Sequence, residues 1–352
     1  MIPEPLLIAA TQLEAGVFVA AWLLIMGHGV FTGVRRRRRP RLERARRLLA
    51  AGLPDRALDD DARTALRRLD AGEAAELFAT FTPHLRGAEQ EWLGGIALEL
   101  GLVARARRLC RSRLWWRRLH GARLITLVGG GEEAILALAH DRNPLVRSQV
   151  AEWAGAYGTP AGIRTLGDML GDRSRASRYS VEDALVRLGG PAVEPLAERL
   201  AHVRGPIPSI TGLRAAGGLG DPRLLPSILT HCDRENPEVR RAAFAALGAI
   251  GGEEAGRRLV AALEDADPRA RAEAATALGR MGHWQAAPVL ARQLGHTAWD
   301  VRLAAGRALA KLGPPGEITL RKMLDAPNAF AADMARHVLD RARVERTRPA
   351  PA

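Results

Sequence analysis

The chain has 352 residues, a formal net charge of +13, and 47% hydrophobic but only 4% aromatic residues. Its two cysteines, Cys110 and Cys232, lie far apart, which excludes a disulfide-stabilised scaffold and suits a reducing compartment. Alternating runs of β-branched and aromatic residues are missing, so we expect helices and no sheet.

The first predicted element is a membrane-spanning helix. Residues 15–34 carry no formal charge, and about 20 apolar residues cross a hydrocarbon layer of ~30 Å. Nine Arg and one Glu follow in residues 35–47. This basic flank argues against the alternative of a buried core helix. Under the positive-inside rule it predicts an uncleaved single-pass anchor (residues 1–34) in a bacterial inner membrane, with the N-terminus outside and the remainder in the cytoplasm.

A basic juxtamembrane segment (residues 35–50), expected to attract anionic lipid, leads into residues 51–128. This region has helical character without a regular repeat, which predicts divergent N-terminal units that cap an array. Residues 100–131 hold eight Arg and no acidic residue. This segment includes a candidate basic and aromatic patch: Arg113, Trp115, Trp116, Arg117 and Arg118.

Four interpretations of this patch remain open: a membrane-facing surface, a site for an acidic protein, a nucleic-acid or nucleotide-sugar site, and a solvated surface. The two basic segments account for more than the whole net charge. The remaining chain therefore lacks the basic face that DNA-binding proteins usually display, and we expect no nucleic-acid partner.

A repeat with a period of 31 residues follows. Glycines mark it, with a first interval of 29 residues and five further intervals of 31: Gly129, Gly158, Gly189, Gly220, Gly251, Gly282 and Gly313. Apolar residues lie 12, 8, 4 and 1 positions before most of these glycines. This spacing predicts one face of a helix closed by a glycine C-cap. A shorter amphipathic stretch separates successive helices, so each unit is a helix pair that buries its apolar face against its neighbours.

The turn before the longer helix carries a signature. Residues 143–147 (NPLVR), 236–240 (NPEVR) and 267–271 (DPRAR) resemble the D-x-x-P-x-V-R turn of HEAT-like repeats. The short unit is most similar to the class named after the phycobilisome lyases. The resemblance implies an all-α fold: an α-solenoid, coiled as a right-handed superhelix of helix pairs over residues 129–343. The transmembrane helix predicted above from hydropathy and charge precedes it. Residues 344–352 are expected to form a disordered tail.

The arginine of this turn recurs eleven residues before the glycine, often after an acidic residue. In HEAT-like repeats this is a ladder position, so we expect these side chains to tie neighbouring turns together. The ladder comprises Arg147, Arg178, Arg240, Arg271 and Arg302.

The second helix of each unit is expected to line a concave side of the array. Positions 10, 6 and 3 before the glycine lie opposite the apolar stripe and predict a partner-binding groove, with a solvated face as the alternative. The candidate residues are Glu152, Tyr179, Asp183, Arg214, Arg241 and Arg307. One unit departs from the pattern: residues 205–220 contain Pro208 and several glycines, which predicts either a hinge or backbone exposed to a ligand.

No metal-ligand spacing, phosphate loop or nucleophile motif is present. We therefore expect no cofactor, no metal and no catalytic residue. The leading hypothesis is a membrane-anchored cytoplasmic scaffold, not an enzyme, that binds a protein partner such as an envelope-polysaccharide glycosyltransferase. The alternatives are a lyase-like or other enzyme acting in the groove and a nucleic-acid binder.

Overall fold

The computed structural model describes residues 40–81 and 88–347. These residues form α-helices joined by turns and short 3-10 helices, and no strand occurs among them. The chain divides into two compact units, one up to Ala134 and the other from Ile135. Within the described ranges, no helix has both the length and the hydropathy needed to cross a bilayer. The predicted membrane segment lies outside those ranges.

The first unit consists of helices that pack around α6. Its helices are α1 (40–52), α2 (Asp60–Arg67), α3 (Ala71–Phe81), α4 (Ala88–Glu99), α5 (Leu102–Cys110) and α6 (Trp115–Val128). The helices α3, α4 and α5 all contact α6. Side chains such as Phe78 and Ile125 are fully buried there. The short helix α7 (Glu132–Leu136) lies at the division between the units.

The second unit alternates long and short helices. The long helices are α8 (Pro144–Tyr157), α10 (Arg175–Leu188), α12 (Pro206–Leu219), α14 (Pro237–Ile250), α16 (Pro268–Met281) and α18 (Trp299–Lys311). The short partners are α9 (Pro160–Asp168), α11 (Gly190–His202), α13 (Leu225–Leu229), α15 (Glu253–Ala262), α17 (Ala287–Gln293) and α19 (Pro314–Lys322). The helix α20 (Ala329–Thr347) ends the unit, and 3-10 turns extend several short helices.

Consecutive long helices pack side by side, from α8 through to α20. The predicted apolar stripe faces this core: in α14, Val239, Ala243 and Leu247 are 3% exposed or less. The turn chemistry sets where a long helix begins. Asn236 caps α14 by accepting the Glu238 N–H, and the following proline fits the first helical position, where no N–H is needed.

The repeat glycines close the long helices with positive φ, between 59° and 77°, but in two alternating conformations. Gly158, Gly220 and Gly282 adopt the left-handed helical region, with ψ of 26°, 19° and 27°. The glycines between and around them have extended ψ, as at Gly251 with ψ −162°. Extended ψ with positive φ is a region that essentially only glycine occupies. The left-handed cap was predicted, and the alternation was not.

A second set of glycines lets the long helices approach closely. These lie three positions before the repeat glycine and face an alanine of the next long helix. A Cβ built on Gly248 would lie 2.5 Å from the Ala277 Cβ, and one on Gly279 would lie 2.7 Å from the Ala308 Cα. The third of the predicted groove positions is therefore part of the helix-helix interface in these units.

Residues 205–220, for which a superhelix bend or hinge and an exposed backbone were the two interpretations, contain a regular helix. The segment forms one continuous helix, α12, because both prolines, Pro206 and Pro208, fall in its first turn, where no backbone N–H is required. Its glycines serve packing: a Cβ on Gly212 would lie 2.9 Å from Leu200 Cδ2. Residues 344–347, which were predicted to belong to a disordered tail, are part of α20, which continues to Thr347. The rest of the predicted tail lies outside the described residues.

Candidate functional site

The exposed side of α8 to α18, which we call the long-helix face, carries the six predicted partner residues. Each lies six or ten positions before a repeat glycine, on the same side of its helix as its counterparts. Tyr179 is 70% exposed, and both Arg214 and Arg307 are exposed. Glu152, Asp183 and Arg241 are half-buried because they take part in ion pairs.

An ion-pair network joins the first two long helices. Arg187 Nη2 lies 2.9 Å from Glu152 Oε2 across the α8–α10 interface, and Arg187 Nε lies 3.0 Å from Asp183 Oδ2. Arg187 was missed by sequence reasoning because it lies two positions before the repeat glycine. Its spacing of four residues from Asp183 is the signal that would have found it.

Farther along the face, on α12, Arg214 has a more distant partner than Arg187 does. Arg214 Nη1 is 3.9 Å from Glu182 Oε1. Burial raises the pKa of Glu182, and the nearby arginines only partly oppose it. Arg307 lines a groove of about 290 Å³ with Thr276, Asp300 and Lys311. The face is thus rich in carboxylates at α8 and α10 and gains arginine and lysine towards α18.

The predicted ladder arginines lie at the turns, away from this face. Arg147 Nε and Nη2 donate to the two oxygens of Asp172 at 2.5 and 2.7 Å, and Nη1 donates to the Asp141 carbonyl at 2.6 Å. Arg240 and Asp265 repeat the arrangement at 2.7 Å for both bonds. Each carboxylate belongs to the following repeat, so the pair connects neighbouring units.

Burial tends to raise the pKa of Asp172, but hydrogen bonds from Arg147, the Ser174 N–H and Ser177 outweigh it, so the pKa is lowered overall. The pKa of Asp265 is also lowered, because hydrogen bonds from Arg240 and the Asp267 N–H outweigh burial. Both carboxylates therefore stay ionised at neutral pH.

The other ladder arginines lack this carboxylate. Arg178 Nη1 donates to the Asp172 carbonyl at 2.6 Å. Arg271 Nη1 lies 2.7 Å from His296 Nε2, which takes the place of the aspartate. Arg302 Nη1 donates to the carbonyls of His296 and Thr297, both at 2.7 Å.

The predicted basic and aromatic patch lies at the start of α6 in the first unit. Trp115 is 43% and Trp116 52% exposed, and the Arg117 guanidinium stacks 5.1 Å from the Trp116 ring centre. Arg113 is exposed, whereas Arg118 turns back to donate to the Ser112 and Arg113 carbonyls at 3.1 and 3.0 Å. A groove of about 730 Å³ beside the patch is lined by residues that include Arg105, Arg108 and Arg117.

The two thiols lie in the core. Cys110 and Cys232 are 4% and 1% exposed. Burial raises the pKa of Cys110 to about 11 and that of Cys232 to about 12. Both remain protonated at neutral pH, and a thiol is a weak nucleophile compared with a thiolate.

Comparison with solved structures identifies similar folds. Kap121p bound to Nup53p has a TM-score of 0.57 and 13% identity, covering 80% of this chain and 37% of Kap121p. The karyopherin Kap121p bound to the SUMO protease Ulp1p has a TM-score of 0.55 and 13% identity, covering 84% and 39%. An engineered protein has a TM-score of 0.40 and 17% identity, covering 86% and 99%. At these identities the likeness concerns the fold.

No curated protein matches the sequence. A sequence profile of HEAT repeats matches residues 132–207, 210–264 and 256–340, more than half of the chain. These segments cover the long-helix face and the arginine ladder. Together with the stacked helix pairs, the match shows that this chain belongs to the HEAT repeat family.

Proposed function

We propose that the protein is a non-enzymatic scaffold that binds a protein partner on the long-helix face. The observation that carries the proposal is Tyr179, an aromatic side chain that is 70% exposed. It lies one helical turn before Asp183, which pairs with Arg187. Tyr and Arg are enriched among the residues that dominate binding energy at protein interfaces. The fold supports the proposal, since Kap121p, which has a similar fold, was solved bound to protein partners.

Photo-crosslinking tests this directly. Benzoylphenylalanine at position 179 should form a covalent adduct with the partner in cells. The same residue at position 318 is the control, because Ile318 lies on α19 and is 53% exposed. Equal adducts at both positions, or none at 179, would reject the long-helix face as the binding site.

A charge reversal provides the second test. Arg214→Glu on α12 should abolish co-purification of the crosslinked partner, whereas Arg164→Glu on the short helix α9 should leave it intact. Both arginines are exposed, so neither change should unfold the protein. Unchanged co-purification by the Arg214 variant would count against the proposal.

We further propose that residues 15–34 anchor the chain in a bacterial inner membrane, with the repeats in the cytoplasm. The uncharged segment and the nine arginines of residues 35–47 support this. A membrane enzyme, such as an envelope-polysaccharide glycosyltransferase, is then the partner class within reach. A C-terminal fluorescent-protein fusion should remain in the membrane fraction after alkaline extraction. Its release into the supernatant would refute the anchor.

The exposed tryptophans and arginines at the start of α6 suit the surface of an anionic bilayer, where each nearby basic residue contributes about 1 kcal/mol. We assign this patch to lipid contact. The 31-residue period supports membership of the phycobilisome-lyase-type subclass, which we propose on that ground alone.

A further inference from the structure

The last ladder arginine, Arg302, lies in a pocket that the ladder does not explain. The pocket has a volume of about 270 Å³ and is lined by Trp299, Arg302, Phe330, Asp333, Met334 and His337. Arg302 is only 9% exposed, whereas Trp299 and Phe330 are each 52% exposed. We call it the end pocket, because it is formed by α18 and the final helix α20.

The contacts of Arg302 leave one edge of its guanidinium open. The Trp299 and Phe330 rings lie over it, with their centres 5.4 and 4.5 Å from Cζ. Nη1 is used by the two turn carbonyls at 2.7 Å. Across the described part of the chain, Nε and Nη2 have no hydrogen-bond acceptor and no carboxylate within ion-pair distance.

Two other ladder arginines show what this edge can bind. In Arg147 and Arg240, Nε and Nη2 hold both oxygens of an aspartate that comes 25 residues later. The residue 25 positions after Arg302 is Pro327, which offers no carboxylate. Arg302 thus binds turn carbonyls through Nη1, as Arg147 and Arg240 do. The position that an aspartate takes beside Nε and Nη2 in those two arginines is unfilled here.

The surroundings indicate which ligand fits. A cation is disfavoured because the guanidinium already occupies the space between the two rings. Asp333, the acidic residue of the lining, has its charge countered by Arg336 at 3.0 Å. The exposed rings offer apolar area next to the open donors. A carboxylate carried by a short side chain, with an apolar neighbour, satisfies both features.

We propose that the end pocket binds an aspartate or glutamate side chain of a protein partner on the Nε and Nη2 edge of Arg302. The inference rests on the proposed scaffold function and adds the chemistry of one contact. It places an anchor point at α18 and α20, on the turn side of the array and four long helices along from the helix of Tyr179.

The test uses fluorine NMR on the full chain labelled with 5-fluorotryptophan, in detergent. Trp299→Phe identifies the Trp299 resonance among the seven tryptophans. The probe is a peptide with the sequence of residues 263–270, whose Asp265 fills this position on Arg240. The control peptide carries amides in place of all three acidic side chains, Glu264→Gln, Asp265→Asn and Asp267→Asn. We expect a saturable shift of the Trp299 resonance with the first peptide and at least tenfold weaker binding of the second.

Arg302→Lys keeps the charge but removes the two-donor edge, and it should weaken binding of the first peptide at least tenfold. The other six tryptophan resonances report whether the variant is folded. If the Arg302→Lys variant is not folded, Phe330→Leu is the second variant, and it should weaken binding of the first peptide to the same extent. Equal binding of the two peptides, or no shift at 10 mM peptide, would overturn the inference.

A competition arm separates carboxylate from phosphate. Acetate and inorganic phosphate are compared at matched ionic strength for displacing the bound peptide. Stronger displacement by phosphate would replace the proposed carboxylate with a phosphate ligand, and comparable or stronger displacement by acetate supports the carboxylate. If the peptide does not bind but crosslinking at position 179 still captures a partner, the end-pocket proposal is rejected and the scaffold proposal stands.

Discussion

At the scale of single residues, the ladder carboxylates make stability depend on pH. The pKa values of Asp172 and Asp265 are lowered in the folded protein. Stability from such groups is present above the unfolded pKa, about 3.9 for Asp, and is lost as the pH falls through the lowered folded value.

Replacing both ladder carboxylates with asparagine should therefore lower the free energy of unfolding at pH 7 and flatten its dependence on pH below about 4. Urea unfolding followed by circular dichroism between pH 3 and 7 measures both. Asp168→Asn is the matched control, because Asp168 forms only an exposed ion pair with Arg199, and it should change little. A slope below pH 4 identical to that of the wild type would show that other groups dominate.

His296 is a poor substitute for the ladder aspartate. Its Nδ1 accepts the Ala298 N–H at 2.9 Å while Nε2 faces Arg271 Nη1 at 2.7 Å. A neutral imidazole has one acceptor nitrogen, so one of these contacts opposes two donors. A carboxylate could accept both.

His296→Asp is thus expected to raise stability by about 1–2 kcal/mol, the scale of a hydrogen bond to a charged group. His296→Asn supplies an acceptor without the charge and should give a smaller gain. The melting temperatures of the wild type, His296→Asp and His296→Asn measure these differences. A lower melting temperature for the aspartate variant would contradict this interpretation of the contact.

The two glycine conformations predict different tolerance to asparagine. Gly251 and Gly282 both have open space where a Cβ would go, so only the backbone differs. Asparagine tolerates the left-handed helical region at Gly282 but not the extended, positive-φ region at Gly251. We expect Gly282→Asn to cost under about 1 kcal/mol and Gly251→Asn about 1–3 kcal/mol, measured by chemical denaturation. Equal costs would mean that ψ has no influence here.

At the scale of helices, the glycines of the long-helix interface oppose the usual propensity rule. Alanine in place of a helical glycine ordinarily stabilises by about 0.5–1 kcal/mol. Gly95→Ala on α4 should do so, since a Cβ there meets nothing within 4 Å. Gly248→Ala should instead destabilise by about 1–3 kcal/mol through overpacking against Ala277. Stabilisation by both substitutions would indicate that the α14–α16 interface can accommodate the added methyl group without strain.

Most long helices of the second unit were predictable because the repeat period, the apolar stripe and the glycine cap agree, as in α14, α16 and α18. The spacing of Val239, Ala243 and Leu247 is enough to mark the buried face of α14. The regularity of α12 was not foreseen, because its prolines and glycines were weighed by helix propensity alone. Pro208 in a first turn and Gly212 against Leu200 are explained by position and neighbour, which one sequence does not reveal.

At the scale of the whole molecule, an array of this kind holds each helix through its nearest neighbours. The final helix α20 has one long neighbour, α18. Val338, 5% exposed, points into that contact, and its Cγ2 would lie 2.6 Å from a Cβ on Gly306.

Val338→Asp should consequently release α20 while the preceding repeats stay folded. Hydrogen exchange read by mass spectrometry should show faster exchange confined to the peptides of α19 and α20. Val344→Asp, on the same helix but 65% exposed, should leave exchange unchanged. Faster exchange throughout the second unit would mean that its repeats unfold as one cooperative body.

At this scale, the sequence alone did not predict which side chains of neighbouring helices come together to form a site. The six predicted partner residues share one face, yet their relation to Arg187 depends on how α8 and α10 meet. The end pocket was not predicted, because Trp299 and Phe330 come from successive repeats and neither residue indicates a site within its own helix. Such a site exists only once the repeats are stacked.

The alternation of the glycine turns has a consequence for altering the length of the array. Every second junction is of one kind, so excising a single 31-residue unit would bring two like junctions together. Removing or duplicating two consecutive units would preserve the order. The smallest segment that can be added or removed without disturbing the alternation is therefore two consecutive repeats, which comprise four helices.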